Sequence, residues 1–78
     1  MDITDAELDR LQAAYKDAVD TWVTAIRAEE ALASVNHTVA EVDLWEAAHF
    51  KAEDARGRAE HAKSAYEGAL RARFFDIG

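Results

Sequence analysis

Two features of this sequence could do chemistry, and both use carboxylates. Glu46-Ala47-Ala48-His49 is a Glu-x-x-His at i, i+3, a spacing that places both side chains on one face of a helix. Glu29 is level in helical angle with Leu11 and Tyr15, which sets it in the middle of an apolar stripe. A carboxylate there must be paired, be protonated or bind something, because an unpaired charge is costly away from water. One Glu plus one Glu-x-x-His from each of two chains, related by a two-fold axis, is the ligand set of di-iron carboxylate bundles. Glu29, Glu46 and His49 are therefore a candidate site for iron or zinc. The plainer reading has Glu46 facing water, about 100° round the helix from Trp45, and Glu29 met by a lysine or arginine of a second chain. We prefer the plainer reading, since Glu-x-x-His arises often by chance in an acidic helical chain.

Other chemistry finds little support. There is no cysteine, so disulfides and thiolate metal sites are excluded. The serines are Ser34 and Ser64, and neither sits in a nucleophile elbow or beside a Gly-rich phosphate loop. His37, His49 and His61 are each twelve residues apart, but that step turns a helix by about 120° beyond whole turns. They share no face. The chain is expected to be non-enzymatic, with no cofactor.

The elements that must position these residues are helices. Proline is absent and alanine, the best helix former, is abundant. Strand alternation and hairpin dipeptides are missing. Thr4 with Glu7 and Thr38 with Glu41 are two capping boxes, and Ile3 and Leu8 flank the first as a hydrophobic staple. Between the two starts lies Ser34 to His37, with Asn36 suited to a left-handed cap. These signals predict one all-α domain over residues 1–78, an antiparallel hairpin with helices at about 5–34 and 39–74.

A 3.6-residue period puts Leu8, Leu11, Tyr15, Ala18, Val19, Trp22, Ile26 and Ala33 on the buried side of the first helix. On the second it selects Ala48, Ala52, Ala55, Ala59, Ala62, Tyr66 and Leu70. Of 39 hydrophobic residues 18 are alanine, so the larger apolar side chains are few for a self-sufficient core. Val23, Leu32, Val42, Leu44, Trp45 and Phe50 fall partly outside the two stripes, and Phe74, Phe75 and Ile77 gather near the C-terminus. Two hairpins dimerising into a four-helix bundle would cover them, with Trp22, Trp45, Phe74 and Phe75 as the expected self-association residues.

Charge divides the chain. The net charge is −7, and from Ala28 to Phe50 there is no Lys or Arg, while Glu29, Glu30, Glu41, Asp43 and Glu46 are all present. Glu29 and Glu30 also sit at the end of the first helix, where the dipole disfavours anions. Glu29, Glu30, Asp43 and Glu46 thus form an expected partner-binding acidic tip. Direct nucleic-acid binding is not expected, since this charge repels phosphate. No apolar run approaches the ~20 residues of a membrane span. Met1 to Arg10 lacks the basic start and apolar centre of a signal peptide, so a cytoplasmic location is expected. The leading expectation is a protein–protein interaction module, an inhibitor, antidote or adaptor that docks on a basic surface. Its rivals are the carboxylate metal protein and a purely structural assembly part.

Overall fold

The computed structural model describes residues 3–33 and 38–75. It contains two helices, α1 (Asp5–Ala31) and α2 (Val39–Phe74), and no strand among the described residues. Both start where the capping boxes predict. The Thr4 Oγ1 accepts the Glu7 N–H at 3.1 Å, and the Thr38 Oγ1 accepts the Glu41 N–H at 3.2 Å. Ile3 and Leu8 are both half-buried, as a staple requires. α1 stops at Ala31, short of the expected 34. There the Leu32 N–H bonds the Glu29 carbonyl at 3.1 Å and the Ala33 N–H the Glu30 carbonyl at 3.0 Å, a tightened last turn of i→i−3 bonds. Asn36, the expected cap, lies outside the described residues.

Three cross-helix contacts establish that the helices run antiparallel. Glu29 meets His49 near the turn, Tyr15 stacks on Tyr66 at 6.3 Å between ring centroids, and Arg73 reaches Asp5 at the open end. Arg73 Nη1 also donates to the Ile3 carbonyl at 2.8 Å, the same distance as to the Asp5 carboxylate. One guanidinium therefore ties the start of α1 to the last turn of α2. Arg73→Ala is expected to cost about 1 kcal/mol, the worth of charge-assisted bonds at a partly exposed site, measured by urea unfolding.

The buried side of α2 is the predicted alanine seam. Ala52, Ala55, Ala59 and Ala69 are buried, with Ala48, Ala62, Tyr66 and Leu70 half-buried. On α1 the expected stripe holds from Leu8 through Trp22 and then departs. Ile26 and Ala33 are exposed, while Ala25, Glu29 and Leu32 are half-buried in their place. The reason lies in the period. Residues 8, 11, 15, 18, 22, 25, 29 and 32 alternate steps of three and four, as do 48, 52, 55, 59, 62, 66 and 69 on α2. That is a 3.5-residue repeat, the mark of helices that wind left-handedly about each other. A 3.6-residue count drifts off the seam by ~20° per heptad, enough to misplace Ile26 and Ala33 by the end of α1.

Gly57 and Gly68 lie inside α2, and neither has positive φ. α2 runs through Gly57 as one helix, so the residue marks no break. A Cβ added at either position would meet nothing within 4 Å. Gly57→Ala and Gly68→Ala should each stabilise the protein by up to about 1 kcal/mol, read as higher urea midpoints. On the surface of α2, Asp54 pairs with Arg58 at 3.1 Å. Glu67 pairs with Lys63 at 3.8 Å.

Candidate acidic tip and its flank

The turn end concentrates the residues singled out from the sequence. Glu29 projects from the last turn of α1 into the seam, at a position where the heptad calls for an apolar side chain. Its carboxylate is not left alone. Glu29 Oε1 lies 3.3 Å from His49 Nδ1, with the glutamate side chain 20% exposed and the imidazole 45%. An Nδ1–H donating to a carboxylate fixes the ring's tautomer and orientation. The expected partner was a cation from a second chain; the histidine of α2 takes that place within one hairpin.

Glu46 does not join the pair. It is exposed, and no cluster of three or more metal-capable side chains occurs among the described residues. Of the proposed ligand set, Glu29 and His49 are brought together. A structural zinc site takes four protein ligands.

Around the pair the surface is apolar. The Trp45 ring stacks on His49 at 5.9 Å and 16°, and the Phe50 ring is tilted against the same imidazole at 5.8 Å. Val23, Ile26, Val42, Leu44, Trp45 and Phe50 are each 40% or more exposed. Trp22, by contrast, is half-buried at a seam position, so of the two tryptophans Trp45 is the one offered to solvent. Phe74 and Phe75 are exposed at the opposite, open end.

Glu30, Asp43 and Glu46 are exposed, and no ion pair among the described residues involves any of them. The cations that do pair are Arg56, Arg58, Lys63 and Arg73, all farther along α2. The contrast with the end of α2 is direct: Arg71 and Arg73 complement the dipole there, whereas the last turn of α1 has no basic residue. Among the described residues no Lys or Arg pairs with the exposed carboxylates of the tip.

On one flank of the hairpin a groove of about 370 Å³ is lined by Thr21, Thr24, Lys51, Asp54 and Arg58 with alanines at its floor. Two of its lining residues, Asp54 and Arg58, form an ion pair at 3.1 Å, and its surface is mostly apolar. No described helix is long and apolar enough to cross a membrane. Sequence reasoning missed Arg73 as the tie between the chain's two ends, because nothing in local spacing marks a contact across seventy residues. No family model, curated protein or solved structure matches this chain.

Proposed function

We propose that this protein is a non-enzymatic interaction module, a dimer of hairpins whose acidic tip docks on a basic surface of another protein. The observation that carries the reading is the cation-free tip. Glu30, Asp43 and Glu46 stand exposed and without an ion pair among the described residues, on a stretch that holds no Lys or Arg, and Glu30 does so against the dipole preference of α1. Such a field steers a basic partner and raises its association rate, most strongly at low salt. An inhibitor, an antidote and an adaptor would all work by that means.

The dimer is supported by surface area. The chain exposes 6128 Å², against the ~4,700 Å² expected of a folded monomer of its mass. The excess, about 1,400 Å², is larger than the ~800 Å² that each partner buries in a standard interface. Its radius of gyration, 17.7 Å, likewise exceeds the ~11–12 Å of a compact chain of this length.

The test is a charge-neutral tip. Glu30→Gln, Asp43→Asn and Glu46→Gln combined should weaken capture of the protein's partner at least about tenfold while leaving the helical circular dichroism unchanged. Raising salt should weaken the wild-type complex in the same direction. Partner binding that survives both changes would refute the docking mechanism and favour a structural assembly part, whose assembly should instead fail on truncation from Phe74 onward.

A further inference from the structure

We propose that the partner met by the acidic tip presents a basic amphipathic helix, and that this helix lies along the first three turns of α2, on Val39, Val42, Trp45 and Phe50. The proposal rests on the interaction reading above and names the chemistry of the partner.

The face follows from the order of residues in α2. At about 100° per residue, Trp45, Val42, Glu46, Val39, Phe50 and Asp43 succeed one another round an arc of about 160° beside the seam. Val39 and Phe50 are 80% and 70% exposed, Val42 and Trp45 49% and 44%, and both carboxylates are exposed as well. Beyond this stretch α2 changes character. From Lys51 to Arg73 no large apolar side chain is exposed. Apart from Phe74 at its end, α2 thus gathers its exposed large apolar residues into a length of about 17 Å next to the turn.

Such a face recognises through side chains. No strand occurs among the described residues, so no sheet edge is offered to an extended segment. Residues 39, 42, 46 and 50 are spaced by three and four, which makes ridges between which the side chains of another helix pack. The occupant must bring apolar groups to Val39, Val42, Trp45 and Phe50. It must also bring cations to Asp43 and Glu46, because a covered carboxylate without a partner is costly. A helix with an apolar stripe bordered by Lys or Arg meets both demands.

A second copy of this chain does not. A two-fold pairing sets the same face of both chains together. This face holds Asp43 and Glu46 and belongs to a stretch, Ala28 to Phe50, that has no Lys or Arg. Whether the copies run parallel or antiparallel, carboxylates meet carboxylates, and the juxtaposition is repulsive. Pairing with some other face of a second copy is head-to-tail, which closes as a ring or runs on as a filament instead of stopping at a dimer. The face is therefore left to a different protein.

The probes are labelled peptides of about 20 residues, long enough to form a helix on contact. One carries leucines at i, i+3, i+4 and i+7 with lysines elsewhere. The second has the same composition in scrambled order, and the third replaces every lysine by glutamate. Fluorescence anisotropy with the wild-type protein should show the striped lysine peptide binding at least about tenfold more tightly than the other two. V42A/F50A puts good helix formers at two exposed positions, so the helical circular dichroism should persist. Affinity for the striped peptide should nevertheless fall at least about tenfold, whereas V23A/I26A on α1 should leave it unchanged. In W22F the remaining tryptophan is Trp45, whose emission should move to shorter wavelength as the peptide covers it. Equal binding of the striped and scrambled lysine peptides would overturn the amphipathic partner and leave the tip acting by charge alone. Binding of the glutamate peptide as tight as that of the lysine peptide would overturn the role of charge in both readings. Failure of all three to bind would overturn this proposal only, since the neutral-tip variant tests the docking reading separately. A dimer in native mass spectrometry that V42A/F50A turns to monomer would assign the face to a second copy, and that too would overturn the proposal.

Discussion

Ala59→Leu is expected to destabilise the hairpin by about 1–3 kcal/mol, although it adds apolar surface to a protein short of it. Ala59 is 3% exposed and sits in the seam between Ala55 and Ala62. Alanines along a seam let two helices approach toward the short end of the usual ~8–10 Å range. At that spacing a leucine has no room to occupy without pushing α1 away. Moving α1 loosens the half-buried contacts that hold it, including the stacking of Tyr15 on Tyr66. Stability in a domain of this length amounts to roughly 4–12 kcal/mol in all, so the change takes a substantial share. Ala65→Leu provides the control. Ala65 is exposed, and leucine there should be close to neutral because both residues are good helix formers. Urea unfolding followed by circular dichroism reads both variants. Equal midpoints for Ala59→Leu and wild type would mean that the helices are not held at alanine distance, and the seam would lose its meaning.

That prediction also marks where the sequence was legible. The seam of α2 could be read because its alanines keep their 3–4 spacing over five turns, and the two caps because Thr and Glu stand three apart at both starts. The end of α1 could not. Its stop is made by backbone bonds at Leu32 and Ala33, which no side-chain type announces. Counting 3.6 residues per turn also sent Ile26 inward, when supercoiling keeps the seam at Ala25, Glu29 and Leu32 and leaves Ile26 for the flank. The misplacement mattered, because it leaves Ile26 among the exposed apolar residues that the proposed dimer would cover.

The candidate site was legible in composition and less so in pairing. A glutamate in an apolar stripe signals a partner, since burial without one is costly, and the candidate ligand set already grouped Glu29 with His49. What spacing could not decide was whether Glu46 joins them. The i, i+3 relation of Glu46 to His49 permits a shared face, but the His49 imidazole turns toward the seam to meet Glu29 while Glu46 remains in solvent. Trp45 reinforces that choice by stacking on the same ring. The pair is a polar centre in an apolar surface, and such centres favour one register of packing over others because a shifted partner would leave the charges buried and unmatched.

The largest effect expected of this protein is on its stability as a function of its own concentration. If Val23 and Ile26 are covered by a second copy, folding and association are one equilibrium, and the unfolding midpoint must rise with protein concentration. A hundredfold rise, from about 1 to 100 µM, should then add about 2.7 kcal/mol to the apparent stability of the dimer. With a urea slope of ~1–3 kcal/mol/M, that moves the midpoint by about 1–2.5 M, far outside experimental error. V23E/I26E should remove the dependence and also lower the midpoint to that of an isolated hairpin. The physical cause is the thinness of the core. Only alanines are buried among the described residues, and no large side chain is fully enclosed within one chain. Alanine burial contributes little per residue, and conformational entropy opposes the ordering of every residue in both helices. A midpoint that stays constant across the whole concentration range would show that the seam suffices alone. The acidic tip would then act singly rather than in pairs.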